Sequence, residues 1–84
     1  MRDTLRSPAQ EQLRALLRRL RREARLTQAE VAARLEKPQS FVAKYEQGER
    51  KLSAVEFVYV ARALGAKPES IMAQLASAID KIDR

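Results

Sequence analysis

Apolar residues recur along the chain at helical spacing in five short stretches, each bounded by recognisable stop and start signals. The first opens at Ser7-Pro8. Serine can cap a helix, proline suits the first helical position, and Gln10 sits where a capping box needs it. In QEQLRALLRRLRREARL, Leu13, Leu16, Leu17 and Leu20 share one face while Arg14, Arg18, Arg21, Arg22 and Arg25 occupy others, which predicts a helix over about 9–24. Thr27-x-x-Glu30 is a capping box that opens a second helix with Val31, Ala32 and Leu35 as its stripe. Pro38 bounds a very short connection. A third helix then carries Val42, Tyr45 and Phe41 and ends at Gly48, a residue suited to a left-handed C-terminal cap. Ser53-x-x-Glu56 opens a fourth, with Phe57, Val60, Ala61 and Leu64 inward and Gly65 closing it. Pro68 starts a fifth, whose Ile71, Leu75 and Ile79 are four apart with Met72 and Ile82 nearby. The expectation is an all-α, compact bundle of five helices.

Composition agrees with that pattern and narrows the chemistry. At 84 residues there is room for one domain and not for two, and 45% apolar residues allow an economical core. Cysteine and histidine are absent, which removes disulfides, thiolate metal sites and the commonest general base. With no glycine-rich phosphate loop and no convincing carboxylate pair, an enzyme is not expected, and neither is a metal, a cofactor or a small-molecule substrate. No stretch approaches the roughly 20 apolar residues that span a bilayer. Met1 to Pro8 lacks an apolar signal-peptide core. A cytoplasmic protein without membrane contact is expected.

The net charge of +6 is unevenly placed. Residues 1–51 hold thirteen Lys or Arg against seven Asp or Glu, whereas residues 52–84 hold four of each. All the excess lies in the first three-fifths, which suggests a polyanionic partner for that half. A solvated basic surface is the plainer reading of the same charges.

The second and third helices are joined by about three residues, so they must cross steeply as a helix-turn-helix over 27–48. The segment LTQAEVAARLEKPQSFVAKYEQGER resembles the lambda-repressor-like, or XRE/Cro, family of transcriptional regulators through Leu26, Thr27, Gln28, Glu30, Val31, Ala32, Leu35, Ser40, Val42, Glu46 and Gly48. The resemblance covers roughly residues 10–72. It implies a recognition helix at about 38–47 in the major groove, with its N-terminal residues at base edges. On it, Gln39, Ser40, Ala43 and Lys44 fall at base-reading positions. Their chemistry is compatible: Gln suits adenine, Lys guanine acceptors, Ser several edges, and an Ala methyl the thymine methyl. Gln28 matches a phosphate-binding position. Lys37, Arg50 and Lys51 are further candidates for the DNA backbone, giving affinity and register without sequence information. Arg21 and Glu46 match a structural salt bridge between the first helix and the recognition helix. Ala32 falls where the two helices meet and a small side chain is required. Two positions depart from the family. Glu36 stands where Gly is usual, and is strained if its backbone is left-handed. Pro38 replaces a capping Ser or Thr.

The expected organisation is an N-terminal arm over 1–8, a DNA-binding domain over 9–72 and a helical extension over 73–84. Leu75, Ile79 and Ile82, with Tyr59, Val58 and Met72, either fold back on their own domain or pair with a second copy, and pairing is favoured. A symmetric dimer would present two recognition helices about 34 Å apart to a palindromic operator. The resemblance implies a sequence-specific double-stranded-DNA-binding regulator; a homodimeric repressor acting by operator occupancy is the simplest mechanism, with activation through polymerase contact left open. The alternative of a different class is a protein-interaction module, such as an antitoxin-like partner, that keeps the fold with little or no DNA binding. The basic helix LRALLRRLRRE also reads as a membrane-surface or calmodulin-like ligand, but Leu13, Leu17 and Leu20 are needed for the core.

Overall fold

The structure, a computed structural model, describes residues 7–83. The described residues form five α-helices and no strand: α1 (Pro8–Glu23), α2 (Gln28–Leu35), α3 (Gln39–Gln47), α4 (Ala54–Ala63) and α5 (Pro68–Ile82). The caps explain the boundaries. Ser7 Oγ accepts the Gln10 backbone N–H at 3.2 Å and Pro8 opens α1. Thr27–Glu30 and Ser53–Glu56 both close as reciprocal capping boxes, each satisfying two otherwise orphaned backbone donors. Gly48 (φ +82°) and Gly65 (φ +73°) follow α3 and α4 in left-handed geometry. α1 thus begins one residue earlier than its spacing predicts. Of the N-terminal arm expected over 1–8, Ser7 is the N-cap of α1 and Pro8 its first residue, and residues 1–6 lie outside the described part.

The apolar stripes converge on one core. Leu17, Val31, Val42, Val60 and Ile71 are essentially inaccessible and come one from each helix. Leu16, Ala32, Tyr45, Phe57, Ala61, Ala63 and Leu64 complete it. α2 packs on α3, α1 lies against α3 and α5, and α4 touches α2 and α5. Ala32 is 2% exposed, so the close α2–α3 crossing leaves no room for a larger side chain there. Arg34 Nη1 donates to the Ala63 carbonyl at 2.8 Å and so ties α2 to the end of α4.

α5 folds back on α1. Leu75 and Ala78 line a cleft with Gln12, Ala15, Leu16 and Arg19, and Arg19 Nη2 donates to Gln74 Oε1 at 3.0 Å. The residues expected at a dimer contact therefore divide. Leu75 and Ile79 are half-buried within the chain, whereas Tyr59, Met72 and Ile82 are exposed. None of the helices among the described residues is long and apolar enough to cross a membrane.

Candidate nucleic-acid interface

Only one charged residue is buried among the described ones, and it fixes the C-terminal half of α3. Glu46 is 3% exposed. Arg21 reaches it from α1 with a bidentate fork, Nε to Oε2 at 2.7 Å and Nη2 to Oε1 at 3.0 Å. Its third nitrogen, Nη1, donates to the Leu26 carbonyl at 3.0 Å. Gln28 Nε2, from the first turn of α2, donates to Glu46 Oε1 at 3.0 Å. Arg18 adds Nη2 on the Glu46 carbonyl at 3.0 Å and Nε at 3.6 Å from Oε1. Burial pushes the Glu46 carboxyl up, but the hydrogen bonds from Arg21 and Gln28 and the charges of Arg21 and Arg18 outweigh it. The net result lies below the usual carboxylate range, so Glu46 is ionised at neutral pH. Its hydrogen bond in turn raises the pKa of Arg21. α1, α2 and α3 are thereby held in one charge-assisted knot.

The opposite face of α3 is open. Gln39, Ser40, Lys44 and Gln47 are exposed and Ala43 is half-exposed, while Val42, Tyr45 and Glu46 point inward. At 100° per residue the outward set fills one arc of the helix and the inward set the other. The outward set carries amide, hydroxyl, methyl and ammonium groups side by side. Gln47 was not singled out from the sequence. Its position four residues after Ala43 and seven after Ser40 would have placed it on this face.

The N-terminal end of α3 is built differently. Glu36, the C-cap of α2, is left-handed (φ +56°, ψ +42°), the geometry in which a residue other than Gly is strained. The Lys37 N–H still closes onto the Ala32 carbonyl at 3.0 Å. Pro38 is the N-cap of α3 in extended geometry and supplies no side-chain cap bond. Phe41, half-buried, meets Tyr45 edge-on with centroids 5.7 Å apart. Its ring carries Arg50 Cζ at 4.7 Å and Lys37 Nζ at 5.8 Å.

The expected backbone contacts are therefore in unlike states. Lys37 and Lys51 are exposed. Gln28 has its amide donor turned to Glu46. Arg50 is engaged in a bidentate pair, Nη1 to Glu56 Oε1 at 2.9 Å and Nη2 to Oε2 at 2.7 Å, with Nη1 also on the Lys51 carbonyl at 3.1 Å. Arg50 first, then the Ser53 N–H, hold the Glu56 carboxyl at about 2. The sequence gives no local signal for the Arg18 and Gln28 contacts to Glu46, because they join residues 18 and more positions apart.

Two short packed helices joined by the three residues 36–38 on a tied scaffold, with one polar arc turned outward, define a helix-turn-helix DNA-binding domain. A helix-turn-helix domain family matches residues 12–75. An XRE-family like protein from Pseudomonas syringae pv. tomato is 40% identical, with 82% of this chain and 84% of that one covered and a TM-score of 0.80. The restriction-modification controller protein C.AhdI from Aeromonas hydrophila is 29% identical over 74% of this chain and 94% of that one, TM-score 0.68. The controller protein C.Esp1396I, solved as a tetramer on its natural 35 base-pair operator, shares the fold at 16% identity, with 87% and 96% covered and a TM-score of 0.78. No curated protein matches the chain. The chain belongs to the XRE family of helix-turn-helix regulators, DNA-binding transcriptional regulators that are not enzymes.

Proposed function

We propose that this chain is a homodimeric repressor that acts by occupying a palindromic operator, with α3 in the major groove. The observation that supports it most is the outward arc of α3. Gln39, Ser40, Ala43 and Lys44 share that arc, Gln39 and Ser40 in the N-terminal turn, where recognition helices meet base edges, and Ala43 and Lys44 one turn further on the same face. In this reading those four residues read bases, and Gln28, Lys37 and Lys51 hold phosphates. Gln28 keeps a second amide hydrogen for a phosphate while it is bonded to Glu46. A second copy covers Tyr59, Met72 and Ile82 and the outer edges of Leu75 and Ile79. The three exposed apolar side chains support that covering, and the operator-bound tetramer of C.Esp1396I is a precedent in the same fold. Residues 73–84 extend the DNA-binding domain.

Binding is expected to be steeply salt-dependent. With about two phosphates neutralised per protomer, by Lys37 and Lys51, a dimer has a log–log slope of about −3.6, at about 0.9 per phosphate. Gln39→Ala weakens the specific site by about 1–3 kcal/mol and relaxes preference at one base pair. Fluorescence anisotropy on specific and random duplexes tests this, and equal losses on both contradict base reading by Gln39. Light scattering tests the dimer, which a monomer at tens of micromolar contradicts.

A further inference from the structure

Arg50 has the sequence position of a phosphate contact, yet its guanidinium is already committed. Two of its nitrogens hold Glu56 and its Cζ lies over the Phe41 ring, 4.7 Å from the centroid. We propose that Arg50 is a positioning residue. With Glu56 it forms a strut from the first turn of α4 to Phe41, and so sets the N-terminal turn of the recognition helix. This inference rests on the DNA-reading role proposed for α3.

Three observations carry it. First, the N-terminal turn of α3 lacks the usual fastening, because Pro38 provides no side-chain cap and the residue two before it is left-handed. Second, the only ring in that turn is Phe41, which lies next to Ser40 and two residues after Gln39. It meets Tyr45 edge-on and carries Arg50 over its ring. Third, the far end of the strut is rigid. Glu56 Oε1 also accepts the Ser53 N–H at 2.8 Å within the α4 capping box, so the carboxylate that grips Arg50 is itself fixed. A planar guanidinium can grip the Glu56 carboxylate with two nitrogens while its carbon lies over Phe41, and an ammonium cannot form that fork.

The strut makes a prediction whose sign is opposite to simple electrostatics. Removing the negative charge of Glu56 from a DNA-binding surface raises affinity if charge alone matters. If Glu56 works through Arg50, the same change loosens α3 and lowers specific affinity. Likewise Lys replaces Arg well as a point charge on a phosphate, but not as a strut.

The test uses the duplex that the wild-type chain selects from a random pool, beside a random duplex, across a salt series. Arg50→Lys, Arg50→Ala and Glu56→Gln are compared at a temperature where thermal melts show each variant folded. The expected result is a loss of about tenfold on the selected duplex for all three, the low end of the cost of a lost base contact. Random-duplex affinity stays level, or rises for Glu56→Gln, and the salt slope is unchanged. The proposal is overturned if Arg50→Lys binds like wild type, or if Glu56→Gln tightens the selected duplex. It is also overturned if Arg50→Ala flattens the slope by about 0.9 per protomer, or if both duplexes lose affinity in proportion. A wild-type chain that selects no duplex overturns the DNA-reading role itself, a separate outcome.

Discussion

The two ends of the recognition helix are held in opposite ways. Its C-terminal half is gripped from inside by Arg21, Arg18 and Gln28 on the buried Glu46. Its N-terminal turn emerges from a left-handed Glu36 and an uncapped Pro38, with Gln39 and Ser40 turned fully outward. A helix that reads DNA needs both conditions. Its orientation must be fixed by the scaffold, and its first turn must leave polar groups uncommitted. The difference separates the inward face of α3, tied through Glu46, from the outward face, whose polar groups are exposed from Gln39 to Gln47.

The sharpest way to break that contrast is to cut the knot. Arg21→Ala leaves a buried carboxylate without its fork and is expected to cost about 3–5 kcal/mol, read by urea denaturation. A cost under 1 kcal/mol means the knot does not hold the fold. Acid probes the same pair. Glu46 in the folded chain titrates below its ordinary range, and Glu56 at about 2, against roughly 4.3 unfolded. Depressed folded values stabilise above the unfolded pKa, and that contribution is lost as pH falls through the folded one. Stability is thus expected to be level near neutrality and to decline from about pH 5 towards 2. Glu56→Gln flattens part of the decline, and an unchanged profile contradicts its assigned share.

At the junction between the two ends, Thr27→Ala removes half of the α2 capping box and is expected to cost about 1 kcal/mol. Ser53→Ala does the same for α4. The smallest effect belongs to the loose end. Glu36→Gly relieves a left-handed backbone cost of about 1–2 kcal/mol but adds unfolded-state freedom, for a net gain of about 0.5 kcal/mol. Loss of stability there would show that Glu36 makes a contact worth more than its strain.

What the sequence could tell follows the same division. Local chemistry was legible. The three serine and threonine caps, both glycine stops and the five stripes set helix boundaries to within about a residue, because each depends on neighbours three or four positions away. The pairing of Arg21 with Glu46 came through family resemblance, since no periodicity links residues 25 apart. Contacts decided by the tertiary fold were not legible. Nothing local distinguishes an apolar stripe that packs on α1 from one that waits for a second copy, and Leu75 lies at least partly against α1. Arg50 is the clearest case. As one basic residue in a basic loop it reads as a phosphate contact, and only its geometry with Glu56 and Phe41 gives it another partner.

The central claim is that the outward arc of α3 reads base sequence. Selection from a random duplex pool, run in parallel for wild type and Gln39→Ala, tests it most directly. The account predicts that wild type enriches two related half-sites about 34 Å apart, and that Gln39→Ala loses preference at one position in each while keeping the rest. Recovery of no common sequence by wild type, or an identical motif from both proteins, would contradict it.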